Sequence, residues 1–337
     1  MLSLNEVNGV DGAGLWRAYE DWPDVAGRAL DQKLVLPRVR SPKAIVLAGM
    51  GGSGAACGVV YDWLLANSRF PVSLLKDYRL PEFVDERSLV LAISLSGNTK
   101  EMLGILDESI DRRSCVVALS SGGAMERTCL RRGIPHNRVE KVMVPRASVP
   151  SMVFVALRIL NDIGLVKCED ELREAVVSMR RVAEKASPSV PFGSNAAKKL
   201  AKVLYGKRAA IYTAARHASV GHHFRASMNE NAKIPVYAGC YPEIFHNEIE
   251  TWSSPFERAV VLVRHRNEDE AVRKKLVRSK WLMSRAGMAV SEVFEGGGLL
   301  ASLLDWCLFL DLVSLYVAVL RKTPPVSTPL LDSARLI

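Results

Sequence analysis

A short stretch of the sequence, SLSGNT at residues 94–99, contains three hydroxyl side chains. Ser94, Ser96 and Thr99 directly follow an apolar run. A helix N-cap needs only one such side chain, so three exceed what a cap requires. Neutral donors without a Walker lysine suit a phosphate monoester better than a nucleotide triphosphate. An ordinary turn and cap is the alternative interpretation.

A second stretch, GMGGSG at residues 49–54, follows an apolar run and opens a helical pattern. Glycines such as Gly52 let backbone amides approach a ligand, and a helix N-terminus favours an anion. The same letters also fit the bare dinucleotide fingerprint. About twenty residues further on, however, the chain carries Lys76 and Asp77 rather than a clear acidic ribose clamp. Dinucleotide binding therefore stays a minor alternative.

The elements that must position these stretches are continuous apolar strands alternating with helices. Strands are predicted at residues 43–50, 71–77, 88–96, 114–121 and 136–145. This alternation indicates a parallel sheet covered on both faces. GMGGSG, SLSGNT and a third stretch, SSGG, all follow the carboxyl ends of strands, where such sheets bind ligands. We expect the three stretches to converge on one crevice.

The second half of the chain repeats the strand and helix alternation. A stretch rich in Pro, Gly and Ser, PSVPFGSN at 188–195, marks the boundary. We therefore predict an N-terminal domain at 1–188 and a C-terminal domain at 189–337, which suggests an internal duplication of fold. The second copy has no serine-rich turn. We expect one phosphate-type pocket per chain, in the first copy.

Composition and charge limit which classes of function are possible. The chain has 337 residues, 49% of them hydrophobic, and a net charge of +9. No short window combines dense Lys and Arg with aromatics, which argues against nucleic-acid binding. The six cysteines form no C-x-x-C pair and are interpreted as free thiols in a reducing compartment. The opening residues resemble no signal peptide, so we expect a cytoplasmic protein.

The long apolar segment at 299–320 has the length of a membrane span. Asp305 and Asp311 lie within it, and a charge near the bilayer centre costs several kcal/mol. We therefore predict a core or subunit-interface helix and no membrane contact.

The order of GMGGSG and SLSGNT resembles the sugar isomerase (SIS) domain, a flavodoxin-like parallel sheet that binds phosphosugars. VPRASVP (144–150), NENAKIP (229–235) and HNEIE (246–250) follow in the order of one branch of that family. This branch is the archaeal-type bifunctional phosphoglucose/phosphomannose isomerases, and the resemblance covers nearly the whole chain. It implies two flavodoxin-like (SIS) domains, each a parallel sheet flanked by helices.

The resemblance also implies an activity. It points to an aldose–ketose isomerase that interconverts glucose 6-phosphate and mannose 6-phosphate with fructose 6-phosphate through a cis-enediolate. It implies no metal and no cofactor, hexose 6-phosphates as substrates, and a homodimer. The resemblance assigns substrate binding to the residues of the two glycine- and serine-rich stretches: Gly52, Ser53, Ser94, Ser96 and Thr99.

The resemblance assigns the chemistry to residues further along the chain. Arg146 would lie beside the reacting carbons, and Glu230 would be the base. His246 would open the sugar ring and come from the partner subunit. Two C-terminal assignments complete the set: Thr328 matches a position linked to tolerance of both epimers, and Arg335 stands where the family has a lysine, a role that Lys322 could fill instead.

These residue types suit the chemistry independently of the resemblance. A carboxylate can shuttle a proton between two carbons, an arginine can stabilise the oxyanion, and a histidine can open a ring near neutral pH. Each of these residues could instead have a purely structural role: Glu230 on a helix surface, His246 as a structural histidine, and Arg146 in a surface ion pair. The adjacent His222 and His223 point apart on a helix and are interpreted as structural rather than as a zinc pair.

Three other classes of protein are weighed against the isomerase. A phosphosugar-sensing regulator would usually carry a helix-turn-helix segment, and the residues before Pro37 offer one evident helix. A glucosamine-phosphate synthase would need a glutaminase domain with a catalytic cysteine. A nucleotide-dependent oxidoreductase would bind NAD. A non-catalytic phosphosugar sensor is the main alternative.

Overall fold

The structure is a computed structural model that describes residues 1–39, 41–253 and 257–334. Its helices are α1 (Leu4–Val10), α2 (Leu15–Glu20), α3 (Trp22–Asp31), α4 (Gly51–Asn67), α5 (Lys100–Asp111), α6 (Gly123–Arg132), α7 (Val149–Asp162), α8 (Glu169–Ala186), α9 (Ala196–Leu204), α10 (Ala218–Ser227), α11 (Glu270–Arg285), α12 (Leu299–Leu320) and α13 (Pro329–Ala334). Its strands are β1 (Ala44–Gly49), β2 (Val72–Leu75), β3 (Ser88–Ile93), β4 (Cys115–Ser120), β5 (His136–Arg138), β6 (Arg208–Ala214), β7 (Val236–Tyr241), β8 (Arg258–His265) and β9 (Ala289–Glu295). The α/β class predicted from the sequence is confirmed.

The chain divides into two compact units. Asp21–Val177 forms the β1–β5 unit, and Met1–Glu20 joins Ser178–Ile337 in the β6–β9 unit. The predicted boundary after residue 188 therefore differs from the division that the contacts make. The β6–β9 unit begins earlier, at Ser178, within α8. The Ser178 hydroxyl donates a 2.5 Å hydrogen bond to the Asp305 carboxylate of that unit, which ties this part of α8 to it.

The β1–β5 unit has a five-stranded parallel sheet in the order β2-β1-β3-β4-β5. This is the flavodoxin-like order that the resemblance implies. All residues of β1 and β3 are buried, as expected for strands covered by helices on both faces. The order reverses between β1 and β3, so their carboxyl ends flank the crevice where such sheets bind ligands.

The fifth strand is shorter than the sequence predicts. The apolar pattern predicts a strand over 136–145, but β5 ends at Arg138, so the prediction is wrong beyond that residue. Serine side chains take the backbone donors that a longer strand would use. The Ser151 hydroxyl accepts from the Glu140 amide at 2.7 Å, and the Ser148 hydroxyl accepts from the Val142 amide at 2.8 Å. These bonds turn the chain toward the segment that carries Arg146.

The β6–β9 unit repeats the architecture with four parallel strands in the order β7-β6-β8-β9. Its central helix is α12, which contacts α9 and α10 and is buried nearly all round. By length and composition α12 could cross a membrane, but 89% of its most apolar stretch is buried inside the protein. The predicted core helix is confirmed.

Candidate active site

The loop after β1 turns directly into the N-terminus of α4. Gly51 adopts a left-handed conformation with φ of +53°, which suits glycine. A Cβ on Gly54 would lie 2.7 Å from the carbonyl oxygen of Gly49, so the loop and the first turn of the helix pack too closely for any side chain there. The first amides of the 17-residue α4 therefore open at the carboxyl edge of the sheet, a geometry that favours an anion.

Gly52 allows a second close approach within the β1–β5 unit. A Cβ at this position would lie 2.7 Å from the carbonyl carbon and oxygen of Pro145. Pro145–Ser148 forms a short 3₁₀ helix that carries Arg146. The missing side chain of Gly52 therefore brings the arginine segment against the glycine loop. This second role could not be inferred from the motif alone.

Ser53 ties the first loop to the second. Its side-chain oxygen accepts a 3.0 Å hydrogen bond from the Leu95 amide, and the residue is 5% exposed. A serine hydroxyl can accept one hydrogen bond and donate another. The Ser53 hydroxyl can therefore brace the turn after β3 and still offer its proton to a ligand.

Ser94 and Thr99 form a pair rather than two separate donors. The Ser94 hydroxyl donates to Thr99 Oγ1 at 2.9 Å, and Ser94 is only 1% exposed. Thr99 is half-buried at the N-cap of α5, where its hydroxyl makes no capping hydrogen bond. The Thr99 proton can therefore face a ligand while Ser94 lies behind it. Such relayed hydrogen bonds polarise one another.

The third loop, after β4, packs against the second. A Cβ on Gly97 would lie 1.8 Å from the carbonyl oxygen of Gly122, so no other residue fits at Gly97. The Ser121 hydroxyl donates to the Leu95 carbonyl at 2.6 Å. Ser96, between these contacts, has an exposed side chain. The structure thus brings together the three loops that we expect, from the sequence, to converge.

Arg146 lies inside the β1–β5 unit. It is 4% exposed, which rules out the alternative of a surface ion pair. Its segment is fixed by Ser148, whose hydroxyl donates to the Val142 carbonyl at 3.1 Å as well as accepting from the amide of the same residue. An arginine keeps its charge when buried, so this group supplies a permanent cation near the Gly52 loop.

Glu230 lies on an unusual helical turn in the β6–β9 unit. α10 continues into a π-helical turn, Met228–Ala232, and such turns often occur at functional sites. Glu230 is half-buried while its neighbour Asn231 is fully buried, so the carboxylate is not on a freely solvated helix face. Lys233 ends the turn, and its ammonium donates to the Glu230 carbonyl at 2.5 Å.

His246 follows β7 at the end of a short 3₁₀ helix, Glu243–Phe245, and its side chain is exposed. It is therefore not a satisfied core histidine. Two residues later, the Glu248 carboxylate accepts a hydrogen bond from the Tyr212 hydroxyl. Burial, together with that hydrogen bond, raises the pKa of Tyr212 well above its usual range. This hydrogen bond from the buried Tyr212 to the half-buried Glu248 anchors the His246 loop. The sequence reasoning missed it, although Glu248 lies within the HNEIE stretch.

The C-terminal assignments fall on a short segment after α12. Thr328 is half-buried, and its carbonyl accepts from the Asp332 amide at 3.0 Å at the start of α13. Lys322 is exposed and adopts a left-handed φ of 55°. Arg335 lies outside the described residues. The choice between Lys322 and Arg335 for the family's lysine role therefore stays a prediction.

The assigned residues belong to two groups, one in each unit. The β1–β5 unit holds the three loops and Arg146, which the structure brings together. The β6–β9 unit holds Glu230, His246 and Thr328, each on a different segment.

The adjacent histidines of α10 and the six cysteines are the other side chains whose chemistry the sequence raises. On α10, His222 is exposed and His223 is buried, so the two point apart as predicted. Among residues 1–39, 41–253 and 257–334, no group of three or more His, Cys, Asp or Glu side chains could hold a metal ion. All six cysteines are free thiols, and burial raises the pKa of Cys57 and of Cys168 to about 12. Thiols with such pKa values are poor nucleophiles.

Comparison with known proteins identifies the family. A model of the bacterial phospho-glucose isomerase C-terminal SIS domain matches residues 193–336. The bifunctional phosphoglucose/phosphomannose isomerase of Aquifex aeolicus is 30% identical over 318 residues, which cover 93% of this chain and 92% of that protein. The chain belongs to this family. It is accordingly an isomerase with SIS domains.

Other relatives show how far the family's sequence extends. The bifunctional phosphoglucose/phosphomannose isomerase of Caldicellulosiruptor bescii is 28% identical over 300 residues, covering 86% of this chain and 87% of that protein. A D-glucosamine-6-phosphate 4-epimerase of Sulfolobus acidocaldarius is 25% identical over 237 residues, covering 70% of this chain and 72% of that protein. The similarity therefore extends to a protein named for a different reaction of a 6-phosphate sugar.

Solved structures share the fold. A glucose-6-phosphate isomerase-like protein from Thermus thermophilus superposes with a TM-score of 0.66 at 18% identity, covering 99% of this chain and 98% of that chain. The C-terminal domain of glucosamine-fructose-6-phosphate aminotransferase from Francisella tularensis gives a TM-score of 0.71 at 15% identity, covering 92% and 96%. At these identities the likeness concerns the fold alone, and it agrees with two SIS-type sheets.

Proposed function

We propose that this isomerase interconverts glucose 6-phosphate and mannose 6-phosphate with fructose 6-phosphate. The observation that carries the proposal is the convergence of three loops at the carboxyl edge of the β1–β5 sheet, with the buried Arg146 packed against Gly52. The name of the Aquifex aeolicus relative supports the same pair of reactions.

The loops are suited to the phosphate of the substrate. The N-terminus of α4 attracts a dianion, and its amides can donate to phosphate oxygens. Ser53, Ser96 and Thr99 add hydroxyl donors. Ser94 supports Thr99 from behind through the 2.9 Å hydrogen bond between their hydroxyls. In this proposal Ser94 therefore acts through Thr99.

The chemistry is a proton transfer between two carbons. Glu230 removes the proton from C2 of the open-chain aldose, which leaves a cis-enediolate, and returns it to C1, while a second proton passes from the C2 hydroxyl to the C1 oxygen to give the ketose. No atom is lost and no oxidant is consumed, and the proposal uses no metal ion and no cofactor. Arg146 stabilises the developing oxyanion as a fixed cation. General-base catalysis of this kind is worth about 10²–10⁴-fold.

Ring opening precedes the proton transfer. His246 serves as its acid and base, and in this proposal it reaches the site of the partner subunit in a homodimer. Its exposed position on a loop that the half-buried Glu248 holds in place suits such a role. Thr328 lines the sugar, and Arg335 or Lys322 orients it. The six free thiols suit a cytoplasmic location, where the compartment is reducing.

The first experiment measures turnover directly. Purified protein is incubated with glucose 6-phosphate, mannose 6-phosphate or D-glucosamine 6-phosphate, and the products are followed by NMR. We expect fructose 6-phosphate from the first two sugars at a rate that a chelator leaves unchanged. Binding without turnover would favour a phosphosugar sensor. Loss of activity that zinc or magnesium restores would contradict metal independence, and turnover of only the amino sugar would favour an epimerase.

The second experiment tests the base. Glu230→Gln keeps the size of the side chain but cannot accept the proton, so kcat should fall about 10²–10⁴-fold while a 6-phosphate sugar acid still binds. Exchange of the C2 proton with solvent should fall in parallel. Glu250→Gln, which changes an exposed carboxylate of the same unit, is the control and should leave kcat unchanged. Near-normal turnover in Glu230→Gln would show that the base lies elsewhere.

A further inference from the structure

The apolar helix α12 carries a buried carboxylate that the proposed chemistry does not use. Asp311 is fully buried. One of its carboxylate oxygens accepts a 2.9 Å hydrogen bond from His223 Nε2, and the other accepts a 2.5 Å hydrogen bond from the Ser227 hydroxyl. His223 and Ser227 are both buried on α10. A buried charge is costly unless it is paired in this way, so the position demands an explanation.

A second set of hydrogen bonds extends from the same stretch of α12. The Ser314 hydroxyl donates to the Asp311 carbonyl at 2.7 Å and accepts from Asn231 Nδ2 at the same distance. Asn231 Nδ2 also donates to the Tyr19 hydroxyl at 3.0 Å. Ser314, Asn231 and Tyr19 are all fully buried. The network therefore reaches the π-helical turn from inside the core.

The two anchored residues, Ser227 and Asn231, flank Glu230 in sequence. Ser227 is the last residue of α10 before the π-helical turn, and Asn231 directly follows Glu230 within it. Both are tied to α12, whereas the Glu230 side chain between them is half-buried. The turn is thus held on both sides of the carboxylate by bonds that do not involve the carboxylate itself.

We propose that Asp311 is a positioning residue that, through Ser227 and His223, fixes the π-helical turn so that Glu230 stands where the proton is transferred. This inference rests on the proposed role of Glu230 as the base. Removing one member leaves a buried polar group unpaired and frees the turn to shift. A catalytic group displaced by about 1 Å can lose about 10²-fold in rate.

The chain offers a matched pair of variants for the test. Ser227→Ala removes the hydroxyl that donates to Asp311, and Ser178→Ala removes the hydroxyl that donates to Asp305, the other buried aspartate of α12. Each deletes one 2.5 Å hydrogen bond to a buried carboxylate of the same helix. We expect Ser227→Ala to lower kcat about 10–100-fold with little change in KM, and Ser178→Ala to leave kcat unchanged.

Further variants separate positioning from general damage to the fold. Ser227→Thr keeps a hydroxyl and should recover most of the lost turnover. Asp311→Asn, compared with Asp305→Asn, repeats the comparison at the carboxylate. Because Asp311→Asn can fail to fold, the serine pair carries the test. Equal kcat in Ser227→Ala and Ser178→Ala, with both proteins folded by circular dichroism, would overturn the proposal.

A double-mutant cycle connects the network to Glu230. If Ser227 acts through Glu230, Ser227→Ala should cause no further loss of kcat in a Glu230→Gln background, so the two effects should not add. Full additivity would overturn the proposal. The cycle also keeps two failures distinct. Normal turnover in Glu230→Gln would overturn the base assignment, whereas an inactive Glu230→Gln with normal Ser227→Ala would overturn only the positioning role.

Discussion

Hydroxyl groups that look equivalent in the sequence have different surroundings in the structure. Ser96 is exposed, Thr99 is half-buried and Ser94 is buried with its proton directed at Thr99. A hydroxyl that already donates to a neighbour cannot donate the same proton to a phosphate. The side chains of SLSGNT are therefore expected to contribute unequally to binding.

This inequality can be measured with two variants. Thr99→Val removes the donor that faces the ligand, and a lost hydrogen bond to a charged group costs about 1.5–3 kcal/mol. KM, or the Kd of a 6-phosphate sugar acid, should rise about 10–100-fold. Ser94→Ala removes only the support behind Thr99 and should have a smaller effect. Isothermal titration calorimetry measures both.

The decisive result is which of the two variants loses more affinity. A larger loss of affinity in Ser94→Ala than in Thr99→Val would mean that Ser94 meets the phosphate directly. Unchanged affinity in both variants would remove the pair from the site.

At the scale of elements, one contact couples the glycine loop to the arginine segment. Because a Cβ on Gly52 would lie 2.7 Å from the Pro145 backbone, any side chain there must push α4 and the 3₁₀ helix Pro145–Ser148 apart. The displacement would move Arg146 away from the loop. The position of the cation thus depends on a residue that carries no side chain.

Gly52→Ala tests this coupling. Overpacking of this kind costs about 1–3 kcal/mol of stability, and the shift of Arg146 should lower kcat about 10–100-fold. Gly104→Ala is the control, because a Cβ at this exposed position of α5 meets nothing within 4 Å. Alanine there should be neutral or stabilising by about 0.5–1 kcal/mol. If Gly52→Ala turned over normally, the coupling would be wrong.

The sequence predicts the elements well where a local pattern decides them. Continuous apolar strands such as β1 and β3, and the loops at their carboxyl ends, follow from periodicity and glycine spacing. The length of β5 does not, because the hydroxyls of Ser148 and Ser151 reach back to it from later in the chain.

The same limit applies to the site. Glu230 and His246 can be singled out by type and by family motif. The groups that hold their segments, Asp311 and Tyr212, can be recognised only through partners distant in sequence. Asp311 is visible in the sequence as a charge in an apolar helix, but its hydrogen-bond partners on α10 are not.

At the scale of the whole molecule, a half-buried histidine makes stability sensitive to acid. His217 packs against Trp306, with ring centroids 5.1 Å apart, and against His265 at 6.5 Å. Burial, then the neighbouring His265 and Arg216, lowers the pKa of His217 to about 4. The unfolded chain binds a proton here near pH 6.5, so stability is present above that pH and is lost as the pH falls toward 4.

His217→Gln should reduce this loss. Each pH unit in that window is worth about 1.4 kcal/mol for one group, so the free energy of unfolding should fall less steeply between pH 6.5 and 4 in the variant. Urea unfolding at several pH values measures it. Glu20 and Glu295, whose burial raises their pKa values, are common to both proteins and cancel in the difference. An unchanged slope would contradict the assignment.

The proposed homodimer also makes a prediction at this scale. Glu230→Gln and His246→Ala subunits are each expected to be inactive alone. If His246 acts in the partner's site, a mixed dimer has one intact site, and random mixing should restore about a quarter of wild-type activity. If His246 acts within its own chain, mixing restores nothing. Sedimentation analysis of the mixture confirms that dimers form.

The bonds among the three loops of the β1–β5 unit affect how much conformational entropy is lost when a ligand binds. The Ser53 side chain, the Leu95 backbone and the close contact of Gly97 with Gly122 hold the three loops to one another. A site that is already ordered loses little conformational entropy when a small anion enters. More of the phosphate's binding energy is then left to orient the far end of the sugar, where the carbons react.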